Sequence, residues 1–159
     1  MRIIDLKDRF ARSIVAGTFA SIILLALNLF SYYILHFSNR RFINYSAILI
    51  FGRVLSNNPS EIIISSIAQI CFSISIIVIS SYLILKEKRK NYFLRGLSVG
   101  FASWFAISSL SYIIGIHSIL PINSGSAISF MVTSLIWGIL SAWFLLMLDE
   151  RYGNQIETK

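Results

Sequence analysis

The sequence predicts an all-α polytopic membrane protein: a four-helix transmembrane bundle, with a short outer interfacial helix between spans one and two. Three observations carry this. Of 159 residues, 56% are hydrophobic and only 13% charged, and the mean hydropathy is +0.74. Soluble domains carry about 25% charged residues, so most of this chain cannot face water. Uncharged apolar runs recur, and the stretch from Gly96 to Leu148 holds no Asp, Glu, Lys or Arg. The runs are also too long for barrel strands of about 9–11 residues and lack strict alternation. The β-branched segment EIIISSIAQICFSISIIVISSYLIL would favour strands in water. In hydrocarbon the backbone must satisfy itself, and a helix does so. The length fits a single membrane domain, residues 1–159.

Span one is expected at about residues 13–37, after the basic leader MRIIDLKDRFAR. Its apolar run exceeds the roughly 7–15 residues of a signal-peptide core, and no A-x-A site follows, so it is read as retained. The next segment, at about residues 42–53, contains YSAILIFG. Phe42 to Gly52 covers only about 16 Å as a helix, too short to cross. Arg53 at mid-membrane would cost about 2.5–3.5 kcal/mol. The segment therefore reads as a helix on the outer interface or a shallow re-entrant turn packed on the bundle. Arg40, Arg41 and Arg53 are then candidates for lipid-phosphate contact, and a cover over a pore is the functional alternative. In NNPSE, Asn58 fits an N-cap, Pro59 the first helical position and Glu61 the third, a capping box that opens span two. A proton or cation site at Glu61 is the alternative.

Span two is expected at about residues 61–85 and ends on KEKRK. Lys86, Lys88, Arg89 and Lys90 read as a topology determinant that also meets anionic headgroups, with an acidic partner as the other reading. The long uncharged run is broken at IHSILPINSGS, where Pro121, Asn123, Ser124 and Gly125 are turn formers. This divides it into span three, about 95–116, and span four, about 124–148. Four spans put both termini and the middle loop on one side. Eleven of the 14 Lys and Arg residues fall there and three fall opposite. Both termini are therefore expected in the cytoplasm. Because the +7 charge is sorted by membrane side, it does not indicate nucleic-acid binding.

Lipid tails give helices no hydrophobic reason to associate, so small residues and hydrogen bonds must do so. Ser13, Gly17 and Ser21, then Gly96 and Gly100, then Ser134, Gly138 and Ala142 form three such faces, which also allow self-association. Ser65, Gln69, Ser73 and Ser80 form a polar ridge on span two. Asn28 is the amide of span one. Asn28 and Gln69 are expected at similar depth, about 10–14 Å from the outer ends. They should face the interior and bond directly or through water, as helix glue or as part of a solute path.

No intramembrane carboxylate or cation suggests a proton relay. Cys71 is the only cysteine, so no intramolecular disulfide forms. His36 and His117 lack companion ligands, and no metal or other cofactor is expected. Nucleophile-elbow, P-loop and Rossmann glycine patterns are missing, which argues against an enzyme. FAS recurs at 19–21 and 101–103, and Ser31, Tyr32, Ile34 and Ser38 match Ser111, Tyr112, Ile114 and Ser118. A parallel duplication would give this, as would chance in a Ser/Ile/Phe-rich chain.

The order VAGTFASIILLALNLFSYYILHFS, ILIFGR, a basic middle loop, LRGLSVGFASWF, ILPINSG and a closing DERYG resembles the YqhR-like small four-span membrane proteins of Gram-positive-type bacteria. The resemblance implies four helices in a bacterial cytoplasmic (inner) membrane, and it brings no functional residues. The leading functional expectation is a non-enzymatic interaction or accessory component, in contact with the lipid bilayer and with a second copy or a membrane-protein partner. The alternative is a small transporter or holin-like channel subunit with a path lined by Asn28, Gln69 and serines. A ligand-binding sensor covered by residues 42–53 is third.

Overall fold

The computed structural model describes residues 6, 8–56, 58–83, 91–113 and 122–152. Within them lie five helices and no strand: α1 (Arg9–Tyr33), α2 (Ile43–Phe51), α3 (Pro59–Leu83), α4 (Tyr92–Ile113) and α5 (Ser124–Tyr152). Helices α1, α3, α4 and α5 are long and apolar enough to cross a membrane. The first turn of α1, the start of α4 and the last turn of α5 meet at one end of the bundle. Lys86, Lys88, Arg89 and Lys90, with His117 and Pro121, lie outside the described residues.

Helix boundaries follow local chemistry. Asp8 caps α1 by accepting from the Phe10 N–H at 3.1 Å. The first span was expected to run to residue 37, but α1 ends at Tyr33. The N–H groups of Ile34 and Leu35 both close on Phe30 O, and His36 takes a left-handed φ of 50°. The cause is tertiary. Asn39 N–H donates to Ser126 Oγ at 2.8 Å, and the Ser38 and Ser126 hydroxyls are 3.1 Å apart. These bonds draw the chain across to the head of α5.

Asn58 Oδ1 accepts from the Ser60 N–H at 3.0 Å at the head of α3. Asn123 does the same for Ser126 N–H at 2.8 Å at the head of α5. Helix α5 continues one turn past the expected residue 148, because Asp149 is bonded to α1 and the Arg151 cation suits the helix C-terminus.

The interior is small and partly polar, and the exterior is large and apolar. Ser13, Ser21, Asn28, Ser65, Ser81, Ser126 and Ser141 are buried, whereas Phe19, Ile63, Ile67, Leu83, Phe105 and Tyr112 are exposed. In water this would be inverted. In lipid the outer apolar side chains are solvated, and the inner small ones let backbones close. The Ser13 hydroxyl donates to Ser81 Oγ, and Ser129 donates to Ser31 Oγ, both at 2.8 Å between helices.

The three small-residue faces predicted above are used inside the chain. Gly17 of α1 lies against Ile74 and Ile77 of α3. Gly96 and Gly100 of α4 meet Ser134 and Gly138 of α5 so closely that any Cβ would collide with backbone. These faces are occupied by contacts between helices of the same chain. Helix α5 packs on both α4 and α1, and α1 packs on α3, but α3 and α4 make no comparable contact. The bundle is thus open along one side.

Candidate functional site: the short helix and its groove

Helix α2 organises the end of the bundle formed by the C-terminal end of α1 and the heads of α3 and α5. Phe42, Ile43, Asn44, Tyr45, Ser46 and Ala47 are buried, while Leu49 and Ile50 stay exposed. The expected short helix is present, and one of its faces is packed on the bundle.

Four ties hold it. The Phe42 N–H donates to Asn28 Oδ1 at 2.7 Å. The Ser46 hydroxyl donates to Gln69 Oε1 at 2.8 Å. The Phe42 ring stacks on Phe130 of α5 at 4.5 Å between centroids, and Tyr45 meets the same ring edge-on at 5.8 Å. At its far end Gly52 adopts a φ of 68° and returns its N–H to Ile48 O, a turn that favours glycine.

This corrects the expected pairing of the two amides. Asn28 and Gln69 are both buried and inward, but each bonds to α2 and not to the other. Once α2 packs on the bundle, each amide finds a partner on it. The rest of the α3 ridge, Ser65, Ser73 and Ser80, is also buried, and Ser65 Oγ has no hydrogen-bond partner among the described residues.

The side chains of Arg41 and Arg53 also have protein partners. Arg53 Nη2 lies 2.5 Å from Glu61 Oε1, and the Ser56 hydroxyl donates to Glu61 Oε2 at 2.7 Å. Glu61 therefore fastens the α2–α3 loop and does not reach back to the Asn58 N–H as a capping box would. Arg41 donates to Tyr33 OH at 2.8 Å and lies 5.3 Å from the Tyr32 ring centre. Arg40 presents its backbone carbonyl to the Ser38 hydroxyl at 2.6 Å.

A groove of about 280 Å³ opens where α3 and α4 fail to meet. Phe42, Tyr45 and Ser46 of α2, Gln69 and Phe72 of α3, and Leu110 and Ser111 of α4 line it. Burial pushes the Tyr45 phenol up to about 12, against the opposing pull of Arg40, so this hydroxyl stays neutral.

A second polar cluster, at the opposite end, went unread in the sequence. Asp149 of α5 accepts from Arg12 Nε at 2.6 Å and lies 3.5 Å from Arg9 Nη1 and 3.4 Å from the Tyr92 hydroxyl. The Arg12 side chain is only 7% exposed. A signal for it existed. Arg12 is the last charge before the first apolar run and Asp149 the first after the last, so a four-span bundle places them at one level.

A variant test follows from the α2 ties. Asn28→Leu should leave the buried Phe42 N–H without its acceptor, at about 1–3 kcal/mol. On a Cys71→Ser background, a cysteine placed at buried Ala47 should then react much faster with an impermeant maleimide. Unchanged labelling would show that Asn28 does not hold α2.

Comparison of the chain with known protein families, curated proteins and solved structures finds no match.

Proposed function

We propose that this protein is a non-enzymatic component of a bacterial cytoplasmic membrane, acting by contact within the bilayer, with both termini in the cytoplasm. One observation supports the reading: a buried apolar cluster joins α1, α3, α4 and α5. Ala20, Leu24, Phe42, Ile77, Val99, Phe130 and Trp137 form one continuous buried cluster. Asn28 and Gln69, proposed to line a path, have their acceptor oxygens occupied by the N-cap and second turn of α2. The orientation rests on the uneven distribution of Lys and Arg. The likeness to YqhR-like proteins agrees with this compartment.

The lipid-facing surface is the part left for a partner, because the small-residue faces are spent on internal contacts. In proteoliposomes the protein should pass no ions or small solutes above the leak of empty vesicles. Purification in mild detergent should retain a second, different membrane polypeptide in fixed ratio. Flux that disappears in Asn28→Leu or Gln69→Leu would overturn the reading in favour of a transporter or channel.

A further inference from the structure

The groove beside α2 contains a donor that the fold does not use. Gln69 is 6% exposed, and its Oε1 accepts from Ser46. Its amide nitrogen donates to nothing among the described residues. That nitrogen is also not among the buried polar atoms sealed off without a partner, so it retains access to the groove that Gln69 lines. An amide N–H facing hydrocarbon is costly unless something accepts from it.

We propose that the groove is a binding site for an uncharged lipid bearing a carbonyl on a planar ring and an apolar tail, the chemistry of an isoprenoid quinone. Three features select this ligand. The first is electrostatic complementarity: among the described residues no Asp, Glu, Lys or Arg lines the groove, the Tyr45 hydroxyl is also unpartnered but sealed off, and the unused group left open, the Gln69 N–H, is a neutral donor. A carbonyl suits it, whereas a carboxylate or phosphate would lie in hydrocarbon without a counter-charge.

The second is depth. Gln69 is seven residues past Ile62, about 10 Å below the outer edge of the apolar run. The ester carbonyls of a phospholipid are held at headgroup level by their charged neighbour and do not reach it. A wholly uncharged lipid can. The third is shape. Phe42, Tyr45 and Phe72 present three aromatic rings to the space, and rings prefer to pack on rings. The open side between α3 and α4 lets a ligand enter from the bilayer with its tail outside. This inference goes beyond the accessory role proposed above and does not depend on it.

The test uses the full chain in phosphatidylcholine nanodiscs, titrated with a ubiquinone analogue carrying a ten-carbon tail. The wild type should bind the analogue saturably at one site. Gln69→Leu should weaken binding up to about tenfold, the worth of one hydrogen bond. Ala68→Trp should abolish binding by filling the groove while keeping the amide. Ser46→Ala, which leaves the Gln69 donor in place, should change affinity far less than Gln69→Leu. Should Gln69→Leu fail to fold, the Ala68→Trp result decides.

No saturable binding in the wild type would mean that phospholipid chains fill the groove, and would overturn the proposal. So would equal binding by wild type and Gln69→Leu, or full displacement by a ten-carbon alkane lacking a carbonyl. Flux in the proteoliposome assay would sink the accessory reading and leave this site untouched, so the two failures are separable.

Discussion

Gly138→Leu should force the α4–α5 pair apart and be among the most destabilising single substitutions in the bundle. A Cβ at Gly138 would lie 2.7 Å from Gly100 N and 2.8 Å from Gly100 Cα, with the Gly96 carbonyl oxygen nearer still. The reverse views agree: a Cβ at Gly96 would lie 2.7 Å from Gly138 O and 2.8 Å from Ala142 Cβ. Most of these atoms are backbone, so no rotamer change makes room and the helices must separate. Separation also removes the contacts of Val99 and Trp137, which belong to the central cluster.

Overpacking typically costs about 1–3 kcal/mol and occasionally more. We expect about 3 kcal/mol for leucine at Gly138 and about 1–2 kcal/mol for alanine. Reversible unfolding in bilayers, followed by steric trapping, reads both values. A wild-type midpoint for Gly138→Leu would mean that α4 and α5 are not joined at this crossing. Gly52→Ala is a useful contrast: no atom lies within 4 Å of its Cβ position, and only the left-handed φ opposes the change.

Asp149→Asn should come next in effect. Arg12 and Arg53 make ion pairs of similar length, 2.6 and 2.5 Å, in very different surroundings. The Arg53 side chain is 57% exposed, and an exposed pair is worth little. The Arg12 side chain is 7% exposed, and its carboxylate is shared with Arg9. Removing one partner of a buried pair costs about 3–5 kcal/mol because a charge is left behind without its counter-ion. Asp149 is partly exposed at 23%, so about 3 kcal/mol is the better expectation.

The loss should persist at high salt, because screening acts weakly on buried charges. Glu61→Gln should leave the unfolding midpoint almost unchanged and mainly loosen the α2–α3 loop. Equal effects of the two substitutions would show that burial does not set the strength of these pairs. The Arg12 guanidinium also donates to Leu6 O at 3.0 Å, which Asp149→Asn leaves in place.

Much of the candidate site could be read from the sequence, and the remainder was hidden for identifiable reasons. Asn28 and Gln69 stood out as amides in apolar runs, and both are buried. The partner of Asn28 did not stand out, because Phe42 offers a backbone N–H that no side-chain pattern reveals, and that of Gln69, the Ser46 hydroxyl, depends on where α2 packs. Asn58 could be read as a cap because capping is local, and Ser60 N–H is bonded to it. The destination of Glu61 is set by Ser56 and Arg53, across a loop whose path depends on where α2 lies. The groove was not legible at all, since it exists only because α3 packs on α1 and α2 while α4 packs on α5.

The sequence by itself determined the number of long apolar helices, their approximate ends and the short helix between the first two. Transfer from water to hydrocarbon is nearly additive along the chain, and the backbone of each span closes its own hydrogen bonds. Only the tertiary structure decided which small-residue faces meet, that α2 packs on the bundle, and that Asp149 closes on Arg12. Inside lipid no hydrophobic force ranks one helix face above another. Shape and a few hydrogen bonds between residues distant in sequence make those choices.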